Sequence, residues 1–333
     1  MPTGLELIRA EMARQHADAL TTFEQSRNMA GRVAESLHAT GRLILLGMGG
    51  SHFVNRIGEP LYRAQGIDAT ALVASEVLRA PLPAGKRTVM LTSQSGGSGE
   101  ILRYLERAAA GEERFGMTLN ADSRLGRAVP CLVATGGPER AFAATRSLVL
   151  SLIMHGAILR ALGLDGAPLV KALQAPRPPS VQAAVEHLAE CHTIVYSGRG
   201  MLEGVAEAAS LGLMELARLP AFAMEGGQLQ HGPLEILEKG VGVVLFRPAG
   251  PDGKTTIRLA EVADAAGSPV VVFDVSGERP IPRVTTIALP RAEGLASALL
   301  LFPALQETMI GIASRHVEKV GEPIRTAKVT DGE

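Results

Sequence analysis

The 333-residue chain predicts an α/β protein built from two tandem αβα three-layer domains, each around a mainly parallel five-stranded sheet. Three observations carry this. Short β-rich runs alternate with stretches of helical spacing, the pattern of βαβ units. The series of runs occurs twice, paired runs being offset by about 150 to 155 residues, a repeat of whole domains and not of solenoid units. At roughly 100–200 residues per domain the length holds about two, each able to bury its own core.

The elements follow in order. Leu5, Ile8, Met12, Leu20, Phe23, Val33 and Leu37 recur at near-helical spacing, so residues 1–40 read as one or two leading helices. Strands are expected at 43–47, 69–74, 88–92, 116–119 and 131–135, with a helical stretch at 101–110 among the intervening segments. The second series lies at 193–197, 221–224, 241–246, 270–275 and 285–288. Between the series, Gln174-Ala175-Pro176-Arg177-Pro178-Pro179-Ser180 is Pro-rich and polar, as a semi-rigid linker is. The domains are therefore placed at 41–173 and 180–316, with a tail at 317–333. The most apolar long window, 295–313, is interrupted by Pro303, Gln306 and Glu307, short of the ~20 apolar residues a bilayer span needs. It reads as a buried helix.

Composition narrows the function. Lys+Arg number 33 against 34 Asp+Glu, Trp is absent and aromatics make up 3%, which leaves little for nucleic-acid or membrane-surface binding. A small-molecule enzyme fits better. Cys131 and Cys191 have no CxxC spacing, so neither a zinc site nor a disulfide framework is indicated, and no metal or cofactor is expected. Glu6, Arg9, Glu11 and Arg14 crowd the start, unlike a signal peptide, and the expected location is the cytoplasm.

The most specific local signal is Ser93-Gln94-Ser95-Gly96-Gly97-Ser98-Gly99-Glu100, between a strand and a helix. Hydroxyls and glycines there offer side-chain OH and free backbone N–H groups where a helix dipole is positive, a cradle for an anion. Without a Gly-Lys-Ser/Thr ending it is no nucleoside-triphosphate loop, and a phosphate monoester suits it better. The same residue types also make a plain cap and turn. Gly47-Met48-Gly49-Gly50-Ser51-His52 begins like a dinucleotide fingerprint but carries His52 where glycine is wanted; its turn brings Ser51 toward the same crevice, with His52 read as a hydrogen-bonded turn residue.

In the second half, a helix at 203–218 puts Val205, Ala209, Gly212, Leu213 and Leu216 on one face and Glu203, Glu207 and Arg218 outward, with Glu215 on the shoulder. A carboxylate in the last turn faces the negative end of the dipole and is a stronger base for it; an i,i+3 surface pair with Arg218 is the plainer alternative. His231, in Gln230-His231-Gly232-Pro233, precedes a Gly-Pro breaker and should lie on irregular backbone, as a catalytic or a capping histidine. Glu215 ends a helix at the amino edge of the next strand and His231 follows that strand's carboxyl edge, about 17 Å away for five residues. If both are catalytic, a symmetric dimer should supply one of them across its interface.

Together these motifs, in this order, resemble the sugar isomerase (SIS) family, in particular the tandem-SIS isomerase half of glucosamine-6-phosphate synthase and its deaminase and deglycase relatives, over about residues 43–328. The resemblance implies flavodoxin-like SIS domains. It implies a sugar phosphate held by Ser51, Ser93, Gln94, Ser95 and Ser98, Glu215 as the isomerase base, and His231 of the neighbouring subunit handling ring opening. Gly136-Gly137-Pro138-Glu139 and Ala144-Thr145-Arg146 look like the family's Gly-Pro-Glu and Ser-Thr-Lys pair, with Arg in place of Lys. The run from Glu322 to Lys328 resembles the tail that closes the active site, and Lys328 falls on the lysine that reaches sugar C1/C2.

Departures shape the expectation. About 40 residues precede the first strand and none is a cysteine, and Gly212 stands where the synthase has a lysine three residues before the base. Both favour release of nitrogen over its capture. The expected activity is C1/C2 proton transfer on an amino-sugar or ketosamine 6-phosphate with loss of amine, in a homodimer. A simple aldose/ketose phosphate isomerase and a non-catalytic sugar-phosphate regulator are the alternatives.

Overall fold

Parallel strands covered on both faces are written as continuous apolar runs rather than alternations. The computed structural model, which describes residues 2–107, 110–175 and 177–328, shows ten such strands. β1 (Arg42–Gly47), β2 (Asp68–Val73), β3 (Arg87–Thr92), β4 (Glu112–Thr118) and β5 (Cys131–Val133) form one sheet, in the order β2-β1-β3-β4-β5. β6 (Thr193–Gly198), β7 (Ala221–Glu225), β8 (Val241–Arg247), β9 (Val270–Asp274) and β10 (Thr285–Ala288) form the other, in the order β10-β9-β8-β6-β7. Every pairing is parallel. All six residues of β3, seven of β8 and five of β9 are buried.

The two orders are the same when each sheet is counted from its own first strand. In both, the order reverses between the first and third strands, so neighbouring connections leave on opposite faces and a crevice opens at the carboxyl ends. In the first sheet that crevice lies between β1 and β3, and in the second between β6 and β8.

The chain divides into two compact units. One comprises Glu6–Leu173 with the segment from Pro323; the other comprises the residues up to Leu5 with Gln174–Glu322. The leading helices, Gly4–Gln25 and Arg27–Thr40, break at Ser26, and Arg27–Thr40 packs on helix Arg146–Ala161 as part of the first unit. The tail therefore divides at Pro323. Residues 329–333 of the tail and Pro176 of the linker lie outside the described residues. Helix Gly99–Leu105 is shorter than the helical stretch read at 101–110, of which Ala108 and Ala109 also lie outside.

Helix Leu295–His316 is long and apolar enough to cross a membrane, yet 89% of its apolar window is buried within the fold. It packs against helix Met201–Ala217, which approaches so closely that a Cβ on Gly212 would sit 2.9 Å from Met309 Sδ. A lysine at 212 would have to displace Met309.

Candidate active site

The hydroxyl-rich loop leaves the end of β3 at the crevice beside β1. Ser93 is buried and its hydroxyl lies 3.0 Å from that of Ser98, while Ser95 Oγ accepts from Gly97 N at 3.1 Å. Gln94 O receives Leu119 N (2.9 Å) and Thr118 Oγ1 (3.3 Å), which ties the loop to the end of β4. Gly96 turns the chain at φ 65°, and a Cβ there would strike Ser123 Oγ. Gln94 Oε1 is buried with no hydrogen-bond partner among the described residues, an acceptor left unspent beside a row of hydroxyls.

Ser51 reaches the crevice by a different route from the loop turn expected. Gly47 and Gly49 complete the turn, Gly49 at φ 49°, and helix Gly49–Ala64 starts at once, so Ser51 and His52 sit in its first turn. His52 is a helical residue and not a turn residue. Burial, and then the nearby Arg56 charge, push its imidazole below the usual histidine range and keep it neutral. Burial also raises both thiols, Cys131 and Cys191, to about 11, so neither is a ready nucleophile.

Glu139 is the residue whose role the sequence reading left undeveloped. Its side chain is fully buried, and five donors converge on it. Oε1 receives Thr145 N (3.0 Å), Thr145 Oγ1 (3.1 Å) and Ser147 N (3.1 Å), and Oε2 receives Ser147 Oγ (2.6 Å) and Lys328 Nζ (3.0 Å). The carboxylate thus sits at the positive end of helix Arg146–Ala161 and satisfies its first N–H groups. Lys328, itself 23% exposed, also donates to Phe142 O at 3.2 Å. The order Gly-Pro-Glu followed by Ala-Thr-Arg-Ser was the available signal. What it lacked was the distance in sequence to the tail.

In the other unit, helix Met201–Ala217 ends with Arg218 in the left-handed region (φ 55°), its guanidinium donating to Glu322 O at 3.0 Å. Glu215 is half-buried one turn from that end. Glu203 and Glu207 are half-buried as well, not outward as expected, because Leu295–His316 and the sheet leave this helix little free surface. β7 ends in Glu225, whose Oε2 caps helix Gly226–Gln230 by accepting Gly227 N (2.6 Å) and Gln228 N (3.0 Å). His231 follows, exposed, before Gly232 (φ 114°) and the 3-10 turn Pro233–Ile236. Within this unit Glu215 precedes β7 and His231 follows it, and the five residues of that strand span about 17 Å.

Two doubly wound sheets of equal strand order, one with a hydroxyl-lined loop at its switch point, define a class of open α/β folds in which ligands bind at the carboxyl edges of the strands. Residues 187–303 match the SIS domain, and the strand order of the sheet they contain recurs in the other sheet. It is similar to glutamine–fructose-6-phosphate aminotransferase (isomerizing) of Rhizobium meliloti strain 1021, at 24% identity over 81% of this chain and 47% of that protein. The chain spans about half the length of the curated relatives it matches. Among solved structures it is similar to the C-terminal domain of glucosamine-fructose-6-phosphate aminotransferase from Francisella tularensis (TM-score 0.84, 17% identity, 95% of this chain and 98% of that one). It is also similar to tagatose-6-phosphate ketose/aldose isomerase from Escherichia coli (TM-score 0.80, 20% identity, 96% and 97%). At these identities the structures speak for the fold.

Proposed function

We propose that this protein is a phosphosugar isomerase/deaminase: it moves a proton between C1 and C2 of an amino-sugar 6-phosphate or ketosamine 6-phosphate and releases the amine. Ser51, Ser93, Gln94, Ser95 and Ser98 hold the phosphate, His231 of the partner subunit assists ring opening, Glu215 shuttles the proton and Lys328 acts on the carbonyl. The observation that carries the reading is the Lys328–Glu139 pair. An ammonium delivered by the tail to a buried, multiply bonded carboxylate in the same unit as the hydroxyl loop is a costly arrangement for a terminal lysine. It makes sense where a carbonyl oxygen must be polarised.

The chemistry follows from these roles. Protonation of the ring oxygen by His231 opens the sugar, and Glu215 removes the proton from C2 of an amino-sugar 6-phosphate, or from C1 of a ketosamine 6-phosphate, to leave an enolamine. Lys328 offsets the charge that builds on oxygen. Return of the proton to the other carbon, C1 of the amino sugar or C2 of the ketosamine, leaves an imine, and its hydrolysis by water frees ammonia or an amine. No metal is invoked in these steps.

Incubation with glucosamine 6-phosphate, following ammonia and fructose 6-phosphate separately, tests this. Both products rising together support a deaminase; if neither rises, a ketosamine 6-phosphate is tested. Aldose/ketose interconversion without amine release points to the simple isomerase, and tight sugar-phosphate binding without any turnover points to a regulator.

A further inference from the structure

A chain of four polar side chains is sealed inside the first unit, and neither the motifs nor the proposed chemistry uses it. Asn55, Tyr62 and His155 are fully buried and Thr92 is 1% exposed. Thr92 Oγ1 donates to Asn55 Oδ1 at 2.8 Å, His155 Nε2 lies 3.1 Å from the same oxygen, and Tyr62 OH lies 3.0 Å from His155 Nδ1. Burial pushes the imidazole down to about 3, so one ring nitrogen donates and the other accepts. Oδ1 can only accept. Nε2–H therefore donates to Asn55, and Nδ1 accepts from Tyr62 OH.

The consequence is an amide whose oxygen is spoken for twice while its Nδ2 has no hydrogen-bond partner among the described residues. That nitrogen faces the Gly47 turn: a Cβ on Gly47 would sit 3.0 Å from it and 2.8 Å from His52 N. Asn55 stands one helical turn beyond Ser51, and Thr92 is the last residue of β3, directly before Ser93. One side chain thus joins the two segments that supply the phosphate-binding hydroxyls.

We propose that Asn55 is a positioning residue which, through Thr92, sets the spacing between the Ser51 turn and the Ser93–Ser98 loop, with neutral His155 holding its amide in the one useful orientation. The proposal rests on the reading of that loop as a phosphate cradle. Its effect is on phosphate affinity and KM, not on the proton-transfer step.

The test is titration of the full chain with inorganic phosphate by calorimetry, with thermal melts alongside. Asn55→Ala and Thr92→Val should weaken phosphate at least ~10-fold and raise KM with little change in kcat, while Thr92→Ser, which keeps the hydroxyl, stays within about twofold of the unaltered chain. Should Asn55→Ala not fold, Thr92→Val, nearly isosteric, decides. Thr92→Val binding phosphate as tightly as the unaltered chain overturns the proposal while leaving the cradle standing. No phosphate binding by the unaltered chain overturns the cradle itself, and the positioning role with it.

Discussion

Glu215 takes the role of base from the family resemblance, and the structure leaves it half-buried in the last turn of its helix. Glu215→Gln should lower turnover on the responsive substrate by at least ~100-fold with an unchanged melt, as loss of a general base does; near-normal turnover removes Glu215 from the mechanism. His155 makes a prediction about pH. Its folded value of about 3 lies below the ordinary histidine value of 6.5, so the unfolded chain takes up the proton first as pH falls. Stability from this group is full above pH 6.5 and drains away toward pH 3, amounting to about 2 kcal/mol by pH 5. Denaturant titrations at pH 7 and 5 check it: the difference should shrink in His155→Gln. The sequence showed His155 only as one histidine in a run of leucines and isoleucines. Nothing in that pattern says that Asn55 and Tyr62, about 100 residues earlier, meet it.

Among elements, helix Gly4–Gln25 is joined to helix Arg146–Ala161 by charge. Arg146 is fully buried, with Nε 2.6 Å from Glu11 Oε2 and Nη1 3.0 Å from Asp18 Oδ2, and it also donates to the carbonyls of Thr135 and Gly137. This is where arginine replaces the lysine of the resembled motif: a planar fork can serve two carboxylates and two carbonyls at once, which a point charge does less well. Arg146→Met leaves Glu11 and Asp18 only the partly exposed Arg14 as a cation and should cost up to about 3 kcal/mol, read as a drop in denaturant midpoint. Burial would raise the Glu11 carboxyl, but hydrogen bonds from Arg140 N, Arg146 and Arg14 outweigh it and hold the carboxyl below its ordinary value of 4.5. Its contribution is present above pH 4.5 and is lost as pH falls below it, so Arg146→Met should flatten the acid limb of stability. Most strands were legible to within one or two residues, since β-rich composition is local, but β4 was read from 116 and starts at Glu112, where the charged run Glu112-Glu113-Arg114 hides a strand. The helix starts at Gly49 and Arg146 were not legible, because each depends on a partner elsewhere: the first on a turn completed by two glycines, the second on Glu139.

For the whole molecule, the proposed roles of Glu215, before β7, and His231, after it, call for a dimer in which each site draws on two chains. Mixing Glu215→Gln with His231→Ala protein, each inactive alone, should restore roughly a quarter of normal activity if dimers re-form at random, since half the dimers then hold one intact site. Activity that stays at background after subunit exchange argues for a site within one chain. Two mainly parallel five-stranded sheets, the hydroxyl loop after β3 and the Gly-Pro break after His231 were all determined by the sequence alone. Each is written in local periodicity, in glycine and proline, or in a repeat of about 150 residues. The tertiary structure alone decided that Lys328 meets Glu139 across 189 positions, that Arg146 gathers Glu11 and Asp18, and that Asn55 links Thr92 to His155. Those are pairings of single polar groups at long range, where desolvation makes every partner count but leaves no period along the chain to read.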